Sequence, residues 1–340
     1  MLISGSVKNK FIFLLTLFLI FSLSCNKNKK KSSAEVGPGQ KIVIKVVRPK
    51  ESFPFYCVGI EKFKEVLEKE TKGAVKVEII PEAQFGSEEQ KFLSLKQGTI
   101  EASFISSSGL ADFVPQIKLF NLPFLFRSLD HFYQVADGSI GQLIGRLIED
   151  KLNCIFLGWT SAGVRNVWNN KRPVLKPDDL EGLKIRVRDN PIVVSTFKAL
   201  GAQSIPGAWS ELYTDFQQGN IDGAETTLLM LLRGRFYEGA KYVSLTNHLV
   251  ETAVFLFSQD KYQKLPPYVQ TTVLAAGRAG ILASRQAEAK MSAETWAELK
   301  EKGLKFYNIE KEVFRKKAQP VYKKYADHFG GLKLIGQITK

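Results

Sequence analysis

The sequence is poor in the residues from which catalytic and metal sites are usually built. Its 340 residues include only three histidines, His131, His248 and His328, and three cysteines. The motifs H-E-x-x-H, C-x-x-C and G-x-S-x-G and the P-loop are all missing. Nothing points to a pair of hydrolytic carboxylates either, so a hydrolase remains only a remote alternative. We therefore expect no enzyme activity, no metal and no cofactor.

The composition excludes several other classes of protein. Hydrophobic residues make up 44%, aromatic residues 11% and charged residues 24% of the chain. These values are typical of a soluble globular protein and exclude a disordered, collagen-like or polytopic membrane chain. Because the chain is more than twice as long as a typical domain of about 150 residues, we expect two lobes.

The chain has fewer acidic than basic residues. It contains 34 Asp and Glu and 48 Lys and Arg, which gives a net charge of +14. This excess would suggest nucleic-acid binding in a cytoplasmic protein. Several of the lysines, however, lie in a segment that we expect to be close to a membrane (Lys27, Lys29, Lys30 and Lys31). Attraction to anionic lipid explains these better than nucleic acid, and a solubilising linker without a partner explains them equally well.

The first residues predict export. Lys8 and Lys10 precede an uncharged stretch over residues 11–23, which is shorter than the ~18 to 20 apolar residues of a membrane span. Ser24 and Cys25 follow, and this order resembles the lipobox of bacterial lipoproteins. The resemblance implies a signal peptide over 1–24, acylation of Cys25 and a flexible tether over 25–40. A simply cleaved signal and an unprocessed thiol are the alternatives.

The remaining cysteines, Cys57 and Cys154, leave two possibilities open. An exported protein meets an oxidising compartment, which would permit them to pair. Two buried free thiols that behave as small hydrophobic side chains are the default expectation.

The rest of the chain alternates strand and helix patterns, which indicates an α/β protein. Strands are predicted at 41–47, 75–80 and 102–105, with helices between them, and such βαβ units build a parallel sheet. A second series follows, with strands predicted at 154–160, 183–187, 203–205 and 221–224 and helices at 191–200 and 210–218. Residues 266–302 predict a helix of roughly 50 Å, long enough to run along two lobes.

Five stretches carry a resemblance to a known family: QFGSE (84–88), LPFLFRSLDH (122–131), DLEGLKIRVRDNP (179–191), residues 197–225 and residues 236–248. Their order and spacing resemble the extracytoplasmic solute-binding subunits of tripartite ATP-independent periplasmic (TRAP) transporters. The resemblance implies a two-lobed, class II periplasmic-binding-protein fold with a hinge cleft and a long helix spanning both lobes. We expect the first lobe to comprise 41–162 and 252–291, and the second 163–251 and 292–340.

The resemblance also implies a function. Such a protein captures a carboxylate-bearing organic solute outside the cytoplasmic membrane and delivers it to TRAP membrane subunits, which use an ion gradient. An accessory lipoprotein built from helical repeats is a further expected partner. A lipoprotein that uses the same two-lobed trap to signal to a receptor is the main alternative.

Several candidate ligand-binding residues follow from the family motifs. The Arg of the GLKIRV phrase, Arg186, is the expected carboxylate clamp, because a guanidinium offers two parallel donors and stays charged when desolvated. Arg165 matches a second family arginine, and Trp209 matches an aromatic residue that faces the ligand. Glu225 and His248 match positions that line or support the pocket. Outside the family context, Arg186 would be a surface ion-pair partner, Trp209 a core residue and His248 a backbone-bonded histidine.

Two departures from the family pattern bear on the ligand. The common phrase DGQENP is DGAETT here, which places Thr226 and Thr227 where the family has an amide and a proline. Ser106 stands where a polar or acidic side chain is expected after the third strand. These losses remove partners for a hydroxyl-rich solute, so we expect a less polar acid. Arg188, two residues beyond Arg186, serves as a control position.

Overall fold

The computed structural model describes residues 41–49, 53–85, 87–329 and 332–339. The predicted signal peptide (1–24), the predicted acylation site Cys25 and the predicted tether (25–40) lie outside the described residues. Among the helices that are described, none is long and apolar enough to cross a membrane.

The described residues form nine β-strands: β1 (Ile42–Arg48), β2 (Val75–Pro81), β3 (Ala102–Ser106), β4 (Cys154–Asn169), β5 (Lys184–Val187), β6 (Gln203–Pro206), β7 (Gly223–Thr227), β8 (Tyr242–Ser258) and β9 (Lys305–Tyr307). The α-helices of the same ranges are α1 (Pro54–Glu70), α2 (Glu88–Lys96), α3 (Ser107–Leu110), α4 (Leu129–Asp137), α5 (Ser139–Leu152), α6 (Pro191–Leu200), α7 (Leu212–Gln217), α8 (Leu228–Arg233), α9 (Gln259–Tyr262), α10 (Pro267–Glu301), α11 (Lys311–Lys317), α12 (Gln319–Tyr325) and α13 (Leu332–Thr339).

Two long central strands join two α/β halves. The strand order is β2-β1-β3-β8-β4-β7-β5-β6, and β9 adds to β8. β1 pairs in parallel with β2 and β3, as the βαβ pattern predicts, and β5 pairs in parallel with β6 and β7. β4 and β8 are antiparallel and belong to both halves, because β3 pairs with the end of β8 and β7 pairs with the end of β4. The α/β, two-lobed fold is confirmed.

β4 contains a β-bulge at the point where it passes from the first half to the second. Its register with β8 shifts between Ser161 and Val164. Gly163 has a φ of +96°, a conformation that other residues rarely adopt, and its N–H donates to the Ser161 hydroxyl at 2.8 Å. These turn-like residues explain why the sequence predicts a strand that stops at Thr160, whereas β4 continues to Asn169. The bulge coincides with the predicted lobe boundary at 162/163.

The predicted long helix is α10, whose bounds agree with 266–302 to within a residue at each end. Its two internal glycines allow close packing. A Cβ on Gly280 would lie 2.7 Å from the Gly59 carbonyl oxygen of α1, and one on Gly277 would lie 2.9 Å from Leu157. α10 therefore packs tightly against both α1 and the central strand β4 at positions where a side chain would clash.

Hydrophobic clusters fill both halves, and the C-terminal segment contributes side chains to one of them. Val321, Phe329 and Ile338 belong to the same buried cluster as Val47 and Phe120, which lie in the first half. The prediction assigned all of 292–340 to the second lobe. The Tyr325 hydroxyl of α12 also lies 3.1 Å from the Ser195 hydroxyl of α6, so the C-terminal segment contacts both halves and its assignment to the second lobe stays a prediction.

The two remaining cysteines are both free. Cys154 is buried, and burial raises the pKa of its thiol to about 12. The Cys57 thiol lies 4.0 Å from the Pro49 carbonyl oxygen. Both thiols are unpaired, as the default expectation has it, but Cys57 is only partly buried.

Candidate functional site

A cleft of about 600 Å³ opens between the two halves. One wall, which we call the arginine face, comes from the second half and carries Arg165, Arg186 and Arg188. The opposite wall, which we call the aromatic face, comes from the first half and carries Phe53, Tyr56 and Phe104. Of the predicted residues, Arg165, Arg186, Trp209, Thr226 and Ser106 line this cleft. The sheet topology brings them together because the strand ends of both halves converge there.

Arg165 is fully engaged by protein groups. Its Nε and Nη2 donate to the two carboxylate oxygens of Glu225, and Nη2 also donates to the Glu225 carbonyl at 2.6 Å. Its Nη1 donates to Glu251 at 2.7 Å. All three nitrogens of the guanidinium are thereby held in place, so Arg165 is a fixed positive charge in the wall of the cleft.

Glu225 and His248 support this wall from beneath and do not line the cleft. Glu225 is fully buried, and His248 is 2% exposed. Burial raises the pKa of Glu225, but Arg165 and the hydrogen bond from His248 outweigh this and hold the pKa well below its usual range. Burial lowers the pKa of His248. A neutral His248 therefore donates from Nε2 to Glu225 (3.2 Å) and accepts at Nδ1 from Thr246 (2.9 Å).

Arg186 differs from Arg165 in having hydrogen-bonding capacity to spare. It lies on β5, is 5% exposed and donates through Nη2 to the Gly207 carbonyl. Its Nε has no hydrogen-bond partner, and no ion pair joins it to a carboxylate within the described part of the chain. Burial lowers its pKa. Within the described part of the chain, Arg186 is therefore the arginine of this face that lacks an ion pair.

Arg188 and Glu251 also belong to the site, although the sequence interpretation missed both. Arg188 lines the cleft and pairs with Glu251, which in turn accepts from Arg165. Burial lowers the pKa of Arg188 to about 9, still above neutral pH. Arg188 directly follows β5, and extended backbone that continues past the strand end would place residues 186 and 188 on one face, a signal that should have excluded Arg188 as a control.

The aromatic face was not predicted either. Tyr56 stacks on Phe104 with ring centroids 4.8 Å apart, and Phe104 stacks on Phe255 at 4.4 Å. Phe53 packs beside Tyr56 at the start of α1. Trp209, on the other side, is 41% exposed and packs edge to face on Phe236 at 5.5 Å. It borders the cleft and is not a core residue.

Polar groups on the first half are largely occupied. Lys91 is 2% exposed and binds both Glu82 (2.5 Å) and Glu88 (2.6 Å), and Glu88 accepts from the Ser106 N–H at 2.9 Å. The Ser106 hydroxyl accepts from the Ser108 N–H at 3.2 Å and caps α3. On the other side, the Thr226 hydroxyl accepts from Trp168 Nε1 at 2.9 Å. Within the described ranges, no group of acidic, His or Cys residues could hold a metal ion.

Comparison with known proteins gives the family. The model of bacterial extracellular solute-binding proteins, family 7 (DctP), matches residues 51–328. A solute-binding protein of Verminephrobacter eiseniae is 35% identical over 274 residues, covering 80% of this chain and 82% of the relative.

Two solved structures illustrate the similarity in fold. One is a TRAP periplasmic solute-binding protein from Bordetella bronchispeptica, in which ligand density was interpreted as pantoate; it is 31% identical, with a TM-score of 0.78, over 88% of this chain and 99% of that one. The other is a TRAP periplasmic solute-binding protein from Citrobacter koseri with bound D-glucuronate, 31% identical, with a TM-score of 0.76, over 88% and 99% of the two chains.

These matches confirm the family resemblance that the sequence motifs indicate. Members of this family bind solutes for transporters in the periplasm and are not enzymes. The chain belongs to family 7 of the bacterial extracellular solute-binding proteins, the substrate-binding subunits of TRAP transporters.

Proposed function

We propose that this protein captures a small monocarboxylate in the cleft and delivers it to TRAP membrane subunits. The observation that carries the proposal is the contrast between two arginines. Arg165 donates to Glu225 and Glu251, whereas Arg186 lines the cleft without an ion pair among the described residues, and its buried Nε has no partner. A carboxylate bound there would supply the missing partner of a desolvated guanidinium.

The charges of the site favour one carboxylate over two. The ion pairs of the arginine face join Arg165 and Arg188 to Glu225 and Glu251, so that Arg186 adds one positive charge without an ion pair in the described part of the chain. A second ligand carboxylate would find no further arginine without an ion pair among the described residues of the arginine face, which disfavours dicarboxylates.

We also propose that the body of the solute is less hydroxylated than a sugar acid. It would contact Phe53, Tyr56 and Phe104, while the Ser106 and Thr226 hydroxyls already have protein partners. Pantoate, the ligand assigned to the Bordetella relative, carries methyl groups and fits this description better than the D-glucuronate of the Citrobacter relative. Calorimetric titration with both acids tests the proposal. Tighter binding of pantoate supports it, and tighter binding of D-glucuronate contradicts it.

Anchoring to a membrane through Cys25 is part of the same proposal and rests on the order of signal, Ser24, Cys25 and Lys-rich tether. Acyl chains contribute about 0.8 kcal/mol per buried CH₂, so Cys25→Ala should move the protein from the detergent phase to the aqueous phase. Equal partitioning of parent and variant would contradict the anchor. Co-purification with TRAP membrane subunits would distinguish delivery from signalling to a receptor, and a helical-repeat accessory lipoprotein would be detected in the same experiment.

A further inference from the structure

A second cavity, of about 510 Å³, lies beside the bulge of β4 between Ser161 and Val164. It shares Ala162 and Thr227 with the cleft, and its other lining residues are different. Apolar side chains form much of its wall, among them Leu229, Met291 and Trp296. The family match does not assign a ligand to this cavity.

One carboxyl group in this wall lacks a partner. Glu288 of α10 is 3% exposed, and its Oε2 has no hydrogen-bond partner among the groups that the structure describes. The carboxyl lies against Gly163, where a Cβ would be 3.1 Å from Oε1. The described lining residues include no Lys, Arg or His. Burial raises the pKa of Glu288 to about 7.

The titratable neighbours do not compensate this carboxylate. Tyr56 of α1 and Tyr133 of α4 lie near enough for Glu288 to affect their phenols, and burial raises the pKa of both, so they stay neutral. Arg285, one turn before Glu288, donates to both carboxylate oxygens of Asp137 at 2.6 and 2.7 Å. A buried carboxylate without a positively charged partner destabilises the folded protein unless it binds a cation or becomes protonated.

We propose that this cavity is a second ligand site, which binds a small organic ammonium ion with a hydrocarbon body. The ammonium pairs with Glu288, and the hydrocarbon chain packs on Leu229 and Met291. Trp296 adds apolar area to the same wall, and its ring already carries the Lys300 ammonium at 4.2 Å from the centroid. The site is separate from the carboxylate site of the cleft, whose wall has the opposite charge.

Methionine labelling provides a readout for each cavity. The chain has three methionines, Met1, Met230 and Met291. Met230 lines the cleft and Met291 lines the second cavity. In a ¹³C-methyl methionine spectrum, n-butylammonium chloride should shift the Met291 signal saturably and leave Met230 unchanged. The neutral analogue 1-butanol should not saturate the site, because it lacks the charge.

Glu288→Gln keeps the shape of the side chain and removes its charge, so it should weaken n-butylammonium binding by roughly tenfold or more. Glu294→Gln is the matched control, since Glu294 lies on the same helix with its side chain 62% exposed. Binding should strengthen as the pH rises through about 7, where the Glu288 carboxyl ionises. A thermal unfolding curve verifies that each variant is folded.

Three results would overturn this second site. The first is a Met291 signal that does not shift, or that shifts equally with 1-butanol. The second is unchanged affinity in Glu288→Gln. The third is a Met230 shift that matches that of Met291, which would indicate general binding of the amine to the protein. None of these results affects the proposal for the cleft, which calorimetry with carboxylates tests separately.

Discussion

The two walls of the cleft are stabilised in different ways. The arginine face is an ion-pair network in which Arg165, Glu225 and Glu251 fix one another. The aromatic face is a stack of rings, Tyr56 on Phe104 on Phe255, that continues into the hydrophobic core. Charged groups in a desolvated wall distinguish ligands by their charge, whereas packed aromatic rings distinguish ligands by their shape. The difference suggests that the arginine face selects the carboxylate and the aromatic face selects the rest of the solute.

The largest effect is expected where the ion-pair network is broken. Glu225→Gln leaves Arg165 buried with less compensation, and breaking a buried pair from one side typically costs about 3 to 5 kcal/mol. Chemical denaturation should show a loss of stability of this order. The matched change on the surface is Glu294→Gln, which should have little effect because its ion pair with Lys290 is exposed.

The same carboxylate predicts a pH dependence of the parent protein. Because the folded-state pKa of Glu225 lies below its unfolded value, its contribution is present above about pH 4.5 and is lost as the pH falls further. Denaturation curves at pH 7 and pH 4 should show a smaller difference for Glu225→Gln than for the parent. Equal differences would mean that Glu225 is not ionised in the folded protein.

The next largest effect is a loss of ligand affinity, which tests whether the arginine face binds the carboxylate of the solute. Removing one partner of a buried charge pair typically costs 2 to 5 kcal/mol, so Arg186→Ala should weaken binding of the acid by roughly 30- to 5,000-fold. Arg186→Lys keeps the charge but loses the planar fork, and should fall between parent and Ala variant. Calorimetric titration measures both.

The control for Arg186 has to lie outside the network. Arg188 is unsuitable, since it pairs with Glu251 inside the cleft. Arg146 is exposed on α5 and away from the cleft, so Arg146→Ala should bind as the parent does. If Arg186→Ala also binds as tightly as the parent, the carboxylate clamp is assigned wrongly.

Much of this geometry could be predicted from sequence, and the failures have physical reasons. The βαβ units and α10 are local patterns of hydrophobic spacing, and Arg186 lies in a motif. β8 escaped prediction because Asn247, at a φ of +45°, and other polar residues interrupt its hydrophobic pattern. In the sequence, the residues of the aromatic face have the pattern of ordinary core residues. Only the tertiary fold places Tyr56 and Phe104 at a cleft.

A smaller effect is expected on the aromatic face. Phe53 is partly buried and lines the cleft, so Phe53→Ala should weaken binding of pantoate by about 1 to 2 kcal/mol through lost apolar contact. Binding of D-glucuronate should change less, because a hydroxylated ring gains less from that contact. Tyr268→Ala, at an aromatic residue 54% exposed on α10, is the control. Equal losses for both acids would show that this wall does not select the body of the solute.

The smallest effect is expected at Ser106. Its substitution tests whether the first half of the cleft recognises the solute by hydrogen bonding, whereas Phe53→Ala tests apolar contact on the same side. Its hydroxyl already accepts from the Ser108 N–H and exchanges a hydrogen bond with the Ser108 hydroxyl at 2.5 Å, so it has little capacity left for a ligand. Ser106→Ala should therefore weaken pantoate binding by less than about 1 kcal/mol, or roughly fivefold. The measurement is again calorimetric titration, with Phe53→Ala in parallel. A loss at Ser106 larger than that at Phe53 would mean that the first half of the cleft recognises a ligand hydroxyl, and the solute would then be a polar acid of the D-glucuronate kind.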